Sequence, residues 1–168
     1  MTRLAVYGIL AVVSLALEVT WLSVIRPGGA VLDPLLILVV SAGLLRGPEE
    51  GAVVGAAAGL LQDVATGVPL GLGMLGNLCA GFSAGLGEGR IYLENVWLPG
   101  IAAFAMTMVR NAVWIGAGHL VSLVNVSPGE ALRVTALAAC YNGVIAIPIF
   151  QWLRRLDGML QRLSERPR

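Results

Sequence analysis

Apolar residues run along this chain in six long blocks, separated by short clusters of proline, glycine and charge. The first block extends from about Leu4 to Ile25 and stops at Arg26-Pro27-Gly28-Gly29, where proline removes a backbone donor and the glycines favour a turn. The second opens at Asp33-Pro34, a capping residue followed by proline in the first turn, and ends near Arg46. Gly47-Pro48-Glu49-Glu50 turns the chain and starts the third, with acids at the positive end of the helix dipole. That block ends near Thr66. Gly67-Val68-Pro69 is a tight connection, so the third and fourth blocks should form an antiparallel pair. The fourth covers about Leu70 to Leu86 and the fifth about Val96 to Val124. Ser127-Pro128-Gly129-Glu130 reads as a capping box opening a sixth block that ends near Trp152, with Pro148 expected to kink it.

Inside the third block, Gly51, Gly55 and Gly59 recur four residues apart and so share one helix face. Small residues let backbones approach closely, which is how helices associate in lipid, where burying leucine gains nothing. The fourth block offers a matching face in Gly73, Asn77, Gly81 and Gly85. Asp63 follows Gly51 by ~18 Å along the third helix at ~1.5 Å per residue, and a carboxylate at that position needs a partner or a water-lined cavity.

Composition turns these helices into membrane candidates. Of the 168 residues 57% are hydrophobic and 12% charged, and mean hydropathy is +0.83. A net charge of +1, with no long basic stretch before the C-terminus, argues against nucleic acid as a partner. Every one of the 11 basic residues is arginine, a compositional bias rather than a site. Cys79 and Cys140 lie in apolar blocks without metal-ligand spacing and read as small buried residues. The apolar start is too long for a signal peptide and lacks a small-x-small cleavage site, so it reads as a retained first span.

With a cytoplasmic N-terminus and six crossings, Arg3, Arg46, Arg90, Arg154, Arg155, Arg162, Arg166 and Arg168 fall inside and Arg26 outside, a strong positive-inside bias. The second and third blocks are short for full spans. A re-entrant pair, leaving four true spans and Arg46 outside, is the alternative that the charge rule disfavours. The expected organisation is an all-α integral membrane protein, a bundle of six transmembrane helices over residues 1–153 with a basic juxtamembrane tail over 154–168. In that tail arginines alternate with Leu153, Leu156, Leu160 and Leu163, which suits a short helix on an anionic inner surface. Trp21, Tyr92, Trp97 and Trp152 sit at block ends, as an interfacial aromatic belt would.

The ionisable residues within the apolar blocks are Glu18, Asp63, Arg110 and His119, and in this orientation they share the middle or outer half of the membrane. Asn111 and Asn142, with Gln62, Asn77 and Tyr141, could complete a hydrogen-bonded cluster around them. Three readings stay open: an interhelical strut pairing Arg110 with Glu18 or Asp63, a polar cavity for a ligand, or a contact to a partner's transmembrane helix. His119 reads as interfacial, since no metal-ligand spacing surrounds it. No Ser-His-Asp order, P-loop or HExxH occurs, and GLGMLG at 71–76 follows no strand, so neither an enzyme nor a dinucleotide site is indicated. No cofactor or metal is expected.

The run GLLQDVATGVPLGLGMLGNLCAGFSAG, Gly59 to Gly85, resembles the MreD family of rod shape-determining membrane proteins. The resemblance lies in a glycine-rich helix ending in Asp63, then the turn residues Gly67, Pro69, Leu70 and Gly71, then a second glycine-rich helix. Asp33-Pro34-Leu35-Leu36-Ile37-Leu38 and Leu45-Arg46-Gly47 also look like that family's second span. The resemblance implies a non-enzymatic scaffold of the bacterial elongation complex in the inner membrane, both termini cytoplasmic. It would bind MreC and through it connect MreB filaments to the RodA polymerase and its penicillin-binding transpeptidase partner. It also implies a layout similar to the substrate-binding (S) components of vitamin-type transporters, which makes a small-solute transporter component the alternative function.

Overall fold

The computed structural model describes residues 2–22, 27–87, 95–120 and 127–164, and among these all regular structure is helical. Arg26, Arg90, Tyr92, Arg166 and Arg168 lie outside the described residues, as do the side chains of Arg3, Trp21 and Arg162. Helix α1 spans Thr2–Leu17 and passes into a π-helical turn, Glu18–Leu22. Helix α2 spans Pro34–Thr66, α3 Leu72–Gly85, α4 Leu98–Leu120 and α5 Pro128–Ser164. The described helices therefore number five rather than the expected six. Two of them, at Leu98–Leu120 and Pro128–Gln161, are long and apolar enough to cross a membrane.

The difference lies at Gly47. No loop separates the second and third blocks; a single residue with φ 87° and ψ 178° redirects the chain within α2, a conformation glycine adopts without a Cβ penalty. Pro48 then starts the second arm with its φ preset. Asp33 at the start of α2 and Gln62 near its end both reach Arg110, so the two arms must fold back on each other at Gly47.

The first arm, residues 34–46, is the axis of the bundle. Leu35, Leu36, Ile37, Leu38, Val39 and Val40 are each at most 3% exposed, which is the all-round apolar pattern of a fully surrounded helix. Different sides of this arm meet Tyr7 and Ala11 of α1, Ala80 and Ala84 of α3, and Ala103 of α4 with Ala146 and Phe150 of α5. Being enclosed by protein, it need not match the length of a lipid-facing span. Large apolar residues instead face outward on the enclosing helices: Ile9 and Val12 on α1, Val53 and Val64 on the second arm, Ile101 on α4 and Val144 on α5.

The two glycine faces meet residue for residue. A methyl group added at Gly51, Gly55 or Gly59 would collide with the carbonyl oxygens of Gly81, Asn77 and Gly73 respectively, while one at Gly85 would strike the backbone at Gly47 and Pro48. The spacing of both stripes thus translates into backbone contact along the whole α2–α3 interface. A second close approach joins α4 to α5: a Cβ on Gly100 would lie 2.7 Å from the Gly143 carbonyl oxygen.

Several local expectations change. Cys140 is exposed and Cys79 half-buried rather than both being buried. Helix α5 contains Pro148 and continues past Trp152 to Ser164, so residues 154–164 prolong it rather than form a separate surface helix. Trp97 and Trp152 are largely exposed.

Candidate functional site

Local sequence places the polar groups at one end of the bundle. Asp33 caps α2, its Oδ1 accepting from the Leu36 amide at 2.7 Å. Glu18 begins the π-helical turn that closes α1. Gln62 and Asp63 lie in the last turns of α2, which ends at Gly67 in the left-handed conformation (φ 71°). Arg110 lies halfway along α4, and Thr135 and Asn142 are on α5.

Arg110 is the hub. Its Nη1 is 3.2 Å from Asp33 Oδ2, and its Nη2 donates to Gln62 Oε1 at 2.8 Å. Gln62 spends its amide nitrogen on Glu18 Oε1, and its oxygen also accepts from Asn77 Nδ2 at 3.0 Å. Arg110 Nη1 further donates to Asn111 Oδ1 at 3.3 Å, and Asn111 Nδ2 reaches Thr135 Oγ1 at 3.5 Å. Asn142 Oδ1 accepts from the Asp33 amide at 2.9 Å while its Nδ2 donates to Thr107 Oγ1 at 3.1 Å. Asn77 and Asn142 are at most 1% exposed, so each bond replaces water that the site excludes. Through these bonds every helix of the bundle contributes to one network.

Asp63 stands apart from Arg110. Its Oδ1 accepts from the Gly73 amide at 2.8 Å, and its Oδ2 from those of Gly71 (2.9 Å) and Met74 (3.2 Å). These are the donors that the first turn of α3 leaves without intrahelical partners, and the N-cap residue, Gly71 (φ 109°), has no side chain to serve them. Asp63 therefore acts as the missing cap, delivered from the preceding helix with its charge at the positive end of the α3 dipole. Gly67 and Gly71 supply the positive φ values that bring it there, and Pro69 and exposed Leu70 complete the bend.

The expected strut thus exists with a different acid. Arg110 pairs with Asp33, contacts Glu18 through Gln62, and leaves Asp63 to the backbone. Asp33 was legible only as a cap, because nothing local reveals a partner 77 positions away. His119 lies at the exposed end of α4, its Nδ1 2.9 Å from the Ile115 carbonyl oxygen. Among the described residues no three His, Cys, Asp or Glu side chains gather as metal ligands would.

At the opposite end, Arg46 beside the Gly47 bend forms a smaller cluster. Its Nη2 pairs with Asp157 of α5, its Nη1 with Glu50 at 3.0 Å, and its guanidinium stacks 4.6 Å above the Tyr7 ring of α1. Asp157 is 5% exposed, so this contact fixes the prolonged end of α5. The alternation of arginine and leucine in this segment points to a membrane surface and gives no sign of this acid's partner.

Beside the Arg110 network lies a cavity of about 500 Å³ between the ends of α1 and α2 and the facing parts of α4 and α5. Its lining includes the polar Glu18, Gln62 and Arg110 and the apolar Trp114, Ile115 and Val134.

The family model described as rod shape-determining protein MreD matches residues 3–157. The chain belongs to the MreD family. The match extends beyond the Asp63–Gly71 turn to all five helices, ending at the acid that holds α5 against Arg46. Membership gives the chain a role in rod shape determination and a place in the membrane, in keeping with its two membrane-capable helices. MreD proteins are shape-determining structural proteins rather than a known enzyme family. Searches of curated proteins and of solved structures each found no significant match. The layout resemblance to transporter S components accordingly has no support.

Proposed function

We propose that this MreD protein is a non-enzymatic scaffold of the elongation machinery in the inner membrane. It crosses the membrane with six helical arms, counting those on either side of Gly47 separately, and keeps both termini and residues 154–168 cytoplasmic. The Arg110 network faces the outer side and the Arg46 cluster the inner. In this reading the bundle binds MreC and through it links MreB filaments to RodA and its transpeptidase, coupling cytoplasmic filaments to peptidoglycan synthesis.

The observation that carries the proposal is the network itself. Buried and half-buried polar side chains from α2 to α5 and from the turn that closes α1 engage one another and the backbone, an arrangement that fixes relative helix positions and so defines one outer surface. Asp63 shows the same economy, both oxygens being committed to capping rather than held as an acid or base. The test is co-expression of the full chain with tagged MreC, followed by purification in mild detergent and by depletion of the chain in cells. Retention of the chain by MreC and rounding of depleted rods are expected. Absence of retention, with both proteins folded in the membrane, overturns the scaffold reading.

A further inference from the structure

The cavity beside Arg110 holds an acid whose hydrogen-bonding capacity is only partly used. At about 500 Å³ it falls in the size range of small-molecule sites. Arg110 has its charge paired with Asp33, although its Nε is buried without a hydrogen-bond partner, and Asp63 is satisfied by three backbone amides. Glu18 is different: one carboxylate oxygen accepts from Gln62, the other is buried without a hydrogen-bond partner, and no cation lies at ion-pair distance among the described residues. Glu130 at the cavity rim adds a further acid. A carboxylate in apolar surroundings is costly until it is paired.

Glu18 is also the first residue of the π-helical turn, a rare geometry that is found mostly as single turns and frequently at functional sites. Glu18 lines the cavity together with Trp114, Ile115 and Val134. A carboxyl group with one buried, unpartnered oxygen, in a cavity also lined by aromatic and aliphatic side chains, matches a molecule with a cationic end and an apolar body. The indole of Trp114 suits that combination further, since its face attracts cations.

We propose that this cavity binds a small organic amine, its ammonium group paired with Glu18 and its apolar body against Trp114, Ile115 and Val134. The site goes beyond the scaffold role, and it requires no transport. The full chain is reconstituted in lipid nanodiscs and titrated with phenethylamine, 2-phenylethanol and phenylacetate, three probes of like shape that differ in charge. Thermal stability and saturation-transfer NMR are read against empty nanodiscs.

Saturable binding and stabilisation by the amine, exceeding those of the alcohol and the acid, are expected. Glu18→Gln keeps the side-chain shape and should weaken the amine by roughly tenfold or more through loss of a charge-assisted bond. Val134→Trp fills the cavity and should abolish binding of all three probes. Equal binding of alcohol and amine, unchanged amine affinity in Glu18→Gln, or no saturable amine binding to the wild-type chain would each overturn the proposal. Retention by MreC is read separately, so either idea can fail alone.

Discussion

Substituting Gly55 by alanine tests whether the α2–α3 interface is the close backbone contact that its glycine stripes imply. A Cβ at Gly55 would stand 2.7 Å from the Asn77 carbonyl carbon and 3.1 Å from Leu78 Cα. Unstrained carbon contacts lie at about 3.5–4.0 Å, so the helices would have to separate by roughly 0.5–1 Å at this level. The obstacles are backbone atoms, and no rotamer change relieves them. Overpacking of this kind costs about 1–3 kcal/mol, while alanine's greater helix propensity returns about 1 kcal/mol at most. The net expectation is a loss of up to about 2 kcal/mol, measured by reversible unfolding in mixed micelles. Gly116→Ala is the control: nothing lies within 4 Å of its Cβ position, so only the propensity gain remains and stability should hold or rise. Equal stabilities for the two variants would refute the close-contact reasoning.

Two further predictions concern the ends of the bundle. Asp63→Ala removes the acceptor for three amides of the first turn of α3 and should cost about 2–4 kcal/mol, with faster amide exchange over residues 71–74. Faster exchange spread evenly over the chain would instead deny Asp63 its capping role. Arg46→Ala leaves buried Asp157 without its cation and should destabilise the bundle by about 3 kcal/mol. Exchange should rise first in the last three turns of α5, and Asp157→Asn should be the milder change.

The parts of this fold that were legible in the sequence are those governed by local chemistry. Pro34, the Gly67–Gly71 turn and the Ser127–Glu130 start mark helix ends because backbone dihedrals and unpaired amides constrain which residues fit there. The two glycine stripes were legible because a four-residue period is written into each helix, and they meet in register. What stayed hidden depends on which helices become neighbours. Asp33 looked complete as a cap, and its second oxygen found Arg110 only once α2 folded back and α4 packed beside it. Gln62 is legible as a candidate member of the cluster but not as its bridge: its amide supplies both a donor and an acceptor and so joins Glu18 to Arg110 and Asn77. Gly47-Pro48 marks the turn between the second and third blocks, but proline and glycine mark a break without showing that a single residue makes it. Gly100 and Gly143 were missed as a contact because neither belongs to a repeated glycine stripe, although Ala103, Ala139 and Ala146 continue the small-residue faces.

The claim that the Arg110 network sets the partner-binding surface is tested most directly by quantitative MreC capture with Arg110→Met. Methionine keeps much of the apolar stem but removes the links to Asp33, Gln62 and Asn111. Membrane-inserted protein should remain abundant while MreC recovered per inserted molecule falls roughly tenfold, equivalent to ~1.4 kcal/mol of binding. Unchanged MreC capture per inserted molecule would contradict the account and reduce Arg110 to a strut for folding alone.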